Sequence, residues 1–570
     1  MNLSPDHKIA GVLAPLFAIR TENGLGIGDT QGLRELVDWA AESGFRLVQL
    51  LPVNETGRDN SPYNAISSVA IDPVTLHISP ATVKDLPEED FKALLAKTDL
   101  SKLRAGPVNY PVVKKLKRDL LACAFGHFAA DDIRRNTARA KKFRAFAKAE
   151  SAWLDGYALF RVLMDENDGD ERWDHWPEEQ RNFASASKWL QRQSVFKRRE
   201  LEHGIKFHMY VQWLAFAQWR EVKEYCDERG VALMGDVPFG VSYYSSDVFS
   251  QPEIFDLTWS GGAPPEKVFK SDPFTEKWGQ NWGIPLYRWD VMRVGNFAWW
   301  RQRVRKVREI FHLFRIDHVL GFYRIYSFPW RPQENADYLP LSGDQARERT
   351  GGRLPGFQPR DDSSHENCET NRRHGEEYLR VLLEEVGEHR LIGEDLGVVP
   401  DYVRPSLTSL GIAGFKIPTW ENGSDGRLAE GKNYQRLSLT TYATHDHPPL
   451  KTLWDDLHDA ANSGNGHAQW ELKRLADFAG ITANPLPAFN GEIHAALLAA
   501  LLRSNSWIAV LMITDLFGST QRFNVPGAVA DSNWSERLPD PVAKWRTNAD
   551  IAAKTTLVKR LLRETGRAQD

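Results

Sequence analysis

The chain has 570 residues, 42% of them hydrophobic, and a formal net charge of -4. That is ample material for a large core, with no basic footprint for nucleic acid or an anionic membrane. Cys123, Cys226 and Cys368 are the only cysteines; odd in number and far apart, they show neither a disulfide framework nor the spacing of a multi-cysteine metal motif, and they fit a reducing cytoplasm.

Lys8 and the apolar IAGVLAPLFAI after it have the outline of a short export signal. Pro15 interrupts the run, and Arg20 and Glu22 stand where a small-residue cleavage site is wanted, so GVLAPL (11–16) reads as a strand. No apolar run reaches the length of a membrane span. In TQGLRELVDWAAESG, Leu33, Leu36, Val37 and Ala40 share one helical stripe, and Gly44 can stop the helix. FRLVQLLPV (45–53) returns as a strand. VALMGDVP (231–238) is the next, preceded by a helix with Val211, Leu214, Ala215 and Val222 on one side and Gly230 at its end. Then come FHLFRID, LIGED, AGFKIP (413–418), SLTTYATHD and WIAVLMITD (507–515). Helices such as NFAWWRQRVRKVREIF and GEIHAALLAALLRS separate most of them.

Eight strands alternating with helices predict an α/β fold, a (β/α)8 TIM barrel with large inserted helical and loop subdomains on the catalytic side. Residues 1–54 supply strands one and two. Residues 55–205 form an inserted, mostly helical subdomain that includes IRRNTARAKKFRAFAKAESAWLDGYALFRVLM, and 206–570 complete the barrel. A polar loop insertion rich in Pro, Gly, Asp and Glu is expected at about 331–375, after strand four.

Three acids end apolar strand-like runs: Asp317 on strand four, Glu394 on strand five and Asp446 on strand seven. Strand period puts Leu313, Arg315 and Asp317 on one face, Ile392 with Glu394, and Tyr442 and Thr444 with Asp446. A single acid there reads as a helix cap; three read as a catalytic floor. Adjacent strands lie about 4.8 Å apart, which suits the carboxyl separation of about 5 to 5.5 Å of a retaining glycosidase. Arg315 would orient Asp317 and keep it ionised. Twenty tryptophans add candidate sugar platforms, with Trp259, Trp278, Trp282, Trp330 and Trp420 expected in loops and Gln280 beside Trp282 in GQNWGIPLYRW.

The segments GLGIGD (24–29), LLPVNETGRDNSPYNAISSVAIDP (50–73), WLDGYALF (153–160), GDVPFGV (235–241), GQNWGIPLYRWD (279–290), RIDHVLGF (315–322), GEDLGVVP (393–400), THD (444–446), RFNVPG (522–527) and NW (533–534) occur in one order along nearly the whole chain. In these the sequence resembles the 4-α-glucanotransferases, the amylomaltases or disproportionating enzymes of glycoside hydrolase family 77. The resemblance implies Asp317 as nucleophile, Glu394 as acid/base and Asp446 as the carboxylate that holds sugar hydroxyls. Tyr63, Asp236, Gln280, Trp282, Arg315 and His445 match substrate-binding positions. It implies malto-oligosaccharides, glucose and α-1,4-glucans as partners, no cofactor and no catalytic metal. The expected protein is a cytoplasmic monomer or weak homo-oligomer that binds neither nucleic acid nor membrane. The same acids would also serve a retaining α-glucan hydrolase. The alternating histidines of His445-Asp446-His447 admit a metal-dependent barrel hydrolase, and the tryptophans a non-catalytic glucan-binding protein.

Overall fold

The computed structural model describes residues 3–265, 272–423, 425–526 and 532–568. Gly527, the last residue of the RFNVPG segment, lies outside them. The strands, in chain order, are β1 (Ile9–Leu13), β2 (Leu47–Gln49), β3 (Ala232–Pro238), β4 (Phe255–Ala263), β5 (Gln280–Tyr287), β6 (Leu313–Asp317), β7 (Ile325–Phe328), β8 (Gly356–Gln358), β9 (Leu391–Gly393), β10 (Gly414–Lys416), β11 (Ser438–Thr440) and β12 (Ile508–Met512).

Eight of them form one parallel sheet in the order β10-β11-β12-β1-β2-β3-β6-β9. A parallel bridge between Ile392 and Ala413 joins its two ends, and the Asp395 carboxylate reinforces that seam by accepting the Phe415 amide at 2.6 Å. The ring is therefore the predicted (β/α)8 barrel. Its strands are buried on both faces, as parallel strands clad by helices must be. The apolar run after Lys8 is its first strand, paired with β12 and β2.

Local chemistry sets the helices that clad the barrel. Asp29 caps Thr30–Ser43 by accepting the Gln31 and Gly32 amides, and Gly44, at φ 91°, closes it in a left-handed turn. The expected stripe of Leu33, Leu36, Val37 and Ala40 is buried. The helix before β3 is 35 residues long, Val195–Arg229; Val211, Ala215 and Val222 are buried and Leu214 only half so. Between β2 and β3 the chain forms further helices, among them Glu88–Leu95, Tyr110–Phe128, Ala138–Ala149 and Ser151–Glu166.

Several expectations need correction. GQNWG is not a loop: Gln280 and Trp282 lie on β5, in a second, antiparallel sheet of order β5-β4-β7-β8. The backbone amides of that segment find partners on β4, which the Gly-rich wording conceals. Residues 331–375 are likewise not one long loop; they contain β8, a helix at Gly343–Arg349 and the start of the helix His365–Val386. Finally, Asp446 does not continue a strand's inner row. β11 ends at Thr440, and the chain turns where His447 N–H donates to Thr444 O, before Pro448 and Pro449, which have no amide to extend a ladder.

Of the five tryptophans expected in loops, Trp259 lies on β4, Trp278 in a short helix and Trp282 on β5. Trp330 is buried in a small cluster with Phe274, Phe328 and Tyr338. Only Trp282 and Trp420 of the five are largely exposed, at 41% and 51%.

Candidate active site

Register carries charge to the barrel's C-terminal rim. β3 and β6 pair so that Asp236 stands opposite Arg315 and Pro238 opposite Asp317, and β6 and β9 pair Arg315 with Ile392. Glu394 follows one residue beyond β9 and keeps the ladder by donating its amide to Ile316 O. Three acids from three neighbouring strands thus surround one buried guanidinium. Arg315 Nη1 donates to Asp236 at 2.6 and 2.8 Å, while Nη2 lies 2.9 Å from Asp317 Oδ1 and 3.7 Å from Glu394 Oε1. Those two carboxyl oxygens can therefore be no more than about 6.6 Å apart, which leaves only the lower edge of the inverting range open and includes the whole of the retaining range.

The three acids differ in surroundings. Burial lifts the Glu394 carboxyl to about 8, opposed by Arg315 and assisted by the like charge of Asp317. It accepts the His318 amide at 2.8 Å through Oε2. His318 holds a left-handed backbone, φ 50°, unusual for a residue with a Cβ, and that conformation aims its N–H at Glu394. Asp236 is also raised by burial, to about 6, against the pull of Arg315; the two short guanidinium contacts hold it as a carboxylate at neutral pH. Asp317 keeps a side chain 28% exposed, open to the cleft.

Tyr63 joins this centre to the far rim. Its hydroxyl donates to Asp236 Oδ2 at 2.7 Å and meets His445 Nδ1 at 3.2 Å, and its ring stacks on the His445 ring with centroids 4.7 Å apart. Trp534 packs against both rings. Burial lowers the His445 pKa, so the ring is neutral at pH 7. Its other nitrogen lies 3.3 Å from Asp446 Oδ1. His447 turns away, with Nδ1 on the Thr444 hydroxyl at 3.0 Å, so the two histidines do not converge as a pair of metal ligands would.

Asp446 is fixed from a segment that strand periodicity does not reach. Asn524 Nδ2 donates to Asp446 Oδ1 at 2.6 Å, and Arg522 Nη2 donates to the Asp446 carbonyl at 2.6 Å. Neither was among the expected site residues, although both lie in the RFNVPG segment; their only sequence signal is that segment itself, since no strand or helix pattern places them. On the opposite wall, Trp282 stands edge-on to His318, with centroids 4.9 Å apart, and donates its indole N–H to Gln280 Oε1 at 3.1 Å. All nine expected residues are joined by one chain of contacts, from Asp446 through His445, Tyr63 and Asp236 to Arg315, Asp317 and Glu394, and from Glu394 through His318 to Trp282 and Gln280.

The sequence profile described as 4-alpha-glucanotransferase, glycoside hydrolase family 77, matches residues 14–543. A 4-alpha-glucanotransferase of Chlamydia pneumoniae is 30% identical over 558 residues, 94% of this chain and 92% of that protein. The 4-alpha-glucanotransferase DPE2 of Oryza sativa subsp. japonica is 34% identical over 331 residues, 56% of this chain and 32% of its own. An amylomaltase from Streptococcus agalactiae, solved in complex with acarbose, superposes with a TM-score of 0.73 over 99% of this chain and 100% of that one; at 21% identity this is a likeness of fold.

Proposed function

The chain belongs to the 4-alpha-glucanotransferase family, and on that footing we propose that Asp317, Glu394 and Asp446 perform its reaction. The enzyme transfers α-1,4-glucan segments between malto-oligosaccharides, or to glucose, by retaining double displacement through a covalent glucosyl-enzyme. Asp317 attacks the anomeric carbon while Glu394, held protonated by its burial, gives its proton to the departing 4-oxygen. The freed piece leaves. Glu394, now ionised, takes the proton of an incoming 4-hydroxyl as that oxygen attacks the anomeric carbon and releases Asp317. Asp446 binds sugar hydroxyls and favours the distorted, oxocarbenium-like transition state. Tyr63, Asp236, Arg315 and His445 hold the donor sugar and its charged neighbours, and Gln280 and Trp282 cover the bound glucan.

The observation that carries this reading is the single Arg315 guanidinium shared by Asp236, Asp317 and Glu394. It orients the attacking carboxylate on one side and leaves a raised acid on the other, which is the division of labour a retaining pair needs. Transfer prevails over hydrolysis where the cleft seats a sugar and excludes water. We divide the chain into barrel segments 1–54 and 206–570 around the helical insertion 55–205, with the excursion at 331–375 on the catalytic side. We place the enzyme in the cytoplasm as a monomer or weak homo-oligomer, in keeping with three unpaired cysteines. Among the described residues no helix is long and apolar enough to cross a membrane.

Incubation with maltotriose, with products resolved by size, tests the reading. A ladder of shorter and longer glucans with free glucose is expected. Glucose and maltose alone would mean a hydrolase, and binding without turnover a glucan-binding protein. Asn524→Ala checks the role of Asp446: a hydrogen bond to a charged group contributes about 1.5–3 kcal/mol, so kcat/KM should fall about 10- to 100-fold with an unchanged circular dichroism spectrum. Unchanged kinetics would mean that the Asn524 contact does not position Asp446 for the reaction.

A further inference from the structure

The helix Glu88–Leu95 carries no fully buried side chain, yet it is docked beside the helix Tyr110–Phe128. At the junction, Asp90 faces Cys123 and His127, which are four residues apart and so share one face of their helix. Asp90 Oδ2 lies 2.8 Å from His127 Nε2 and 3.6 Å from Cys123 Sγ, and the three donor atoms all lie within 4.8 Å of one another. A tetrahedral zinc ion, bonded at about 2.0–2.1 Å to oxygen and nitrogen and about 2.3 Å to sulphur, sets its ligand atoms roughly 3.3–3.6 Å apart. The sulphur–oxygen edge already has that length, and the other two need shifts that surface side chains make readily.

We propose that Asp90, Cys123 and His127 form a zinc site remote from the catalytic rim, with water in the fourth position, that fastens the helix Glu88–Leu95 to the helix Tyr110–Phe128. A thiolate and an imidazole beside one carboxylate select zinc over calcium or magnesium, which take oxygen ligands. On binding, the Cys123 S–H bond is replaced by a sulphur–metal bond and its proton passes to solvent; the imidazole coordinates as the neutral ring. Without metal the cluster does little to dock the helix, because the His127–Asp90 pair is 45% exposed on both sides and such pairs contribute little.

The test uses the intact enzyme and Zn(II) or Co(II) alone. Mass action predicts that zinc at about ten times its Kd slows alkylation of Cys123, followed by peptide mass spectrometry, about tenfold. Cobalt should bind one per chain with a thiolate charge-transfer band. Cys123→Ser and His127→Gln should each abolish the band, Cys368→Ser should keep it, and activity on maltotriose should be the same in all of them. Alkylation of wild-type Cys123 at one rate with and without zinc would overturn the site. So would a cobalt band that survives Cys123→Ser.

Discussion

Asp317→Asn lowers kcat for maltotriose disproportionation on the order of 10^4-fold, because an amide cannot supply the electron pair that bonds the anomeric carbon. The change is close to isosteric, and Arg315 retains its two contacts to Asp236, so the guanidinium stays in place and the fold should hold. Maltotriose affinity should therefore change little while kcat falls, which distinguishes a lost nucleophile from a lost binding contact. A second consequence follows from charge. Asp317 is one of the groups that raise Glu394, so in Asp317→Asn the Glu394 carboxyl should titrate at lower pH, read by NMR of the carboxyl carbon. A 5-fluoro-α-glucosyl fluoride, whose ring fluorine destabilises the oxocarbenium-like transition state and slows release while the fluoride leaving group still lets the first step proceed, should label wild type on a peptide containing Asp317 and leave the variant unlabelled. Activity within tenfold of wild type, or a label elsewhere, would move the nucleophile to another residue.

How much of this is legible in the sequence depends on the range of the interactions. Strand period is a local rule, and it correctly sets Arg315 beside Asp317 and Ile392 on the side of Glu394. The eight barrel strands are legible because a buried parallel strand is an apolar run with few alternatives. Period fails at Asp446, where two prolines and a Thr444–His447 turn replace the ladder, and the side chain is held by Asn524, 78 residues away. It fails again at Trp282, since β5 pairs with β4 through a register that shifts at two places, so the strand does not show the clean alternation that period-2 reading needs. The contact of Arg315 with Asp236 is likewise invisible locally. It exists because β3 and β6 become neighbours with a long excursion between them, and only the register makes the two side chains meet.

Glu394→Gln separates catalysis from stability at one atom. General acid–base catalysis contributes about 10^2- to 10^4-fold, so kcat/KM on maltotriose should fall by that range. The loss should shrink for donors with a good leaving group, such as an aryl glucoside, which depart without a proton. Wild-type kcat/KM should decline as pH rises through about 8, where Glu394 loses the proton it must donate, and the variant should lack that limb. Stability moves the other way. A carboxyl raised from 4.5 to about 8 stays protonated in the fold while the unfolded chain releases the proton, so its contribution is fully present below pH 4.5 and is lost as pH rises toward 8. Glutamine does not titrate. At pH 7 the variant should be more stable by roughly 2 kcal/mol, part of the gain being offset by the weaker pull of Arg315 at 3.7 Å, and the difference should vanish near pH 4. Thermal melts at pH 4.5, 7 and 8 measure the slope directly. A difference between variant and wild type that is the same at all three would mean that Glu394 is already ionised in the resting enzyme, and the proton for the leaving oxygen would have to come from another group.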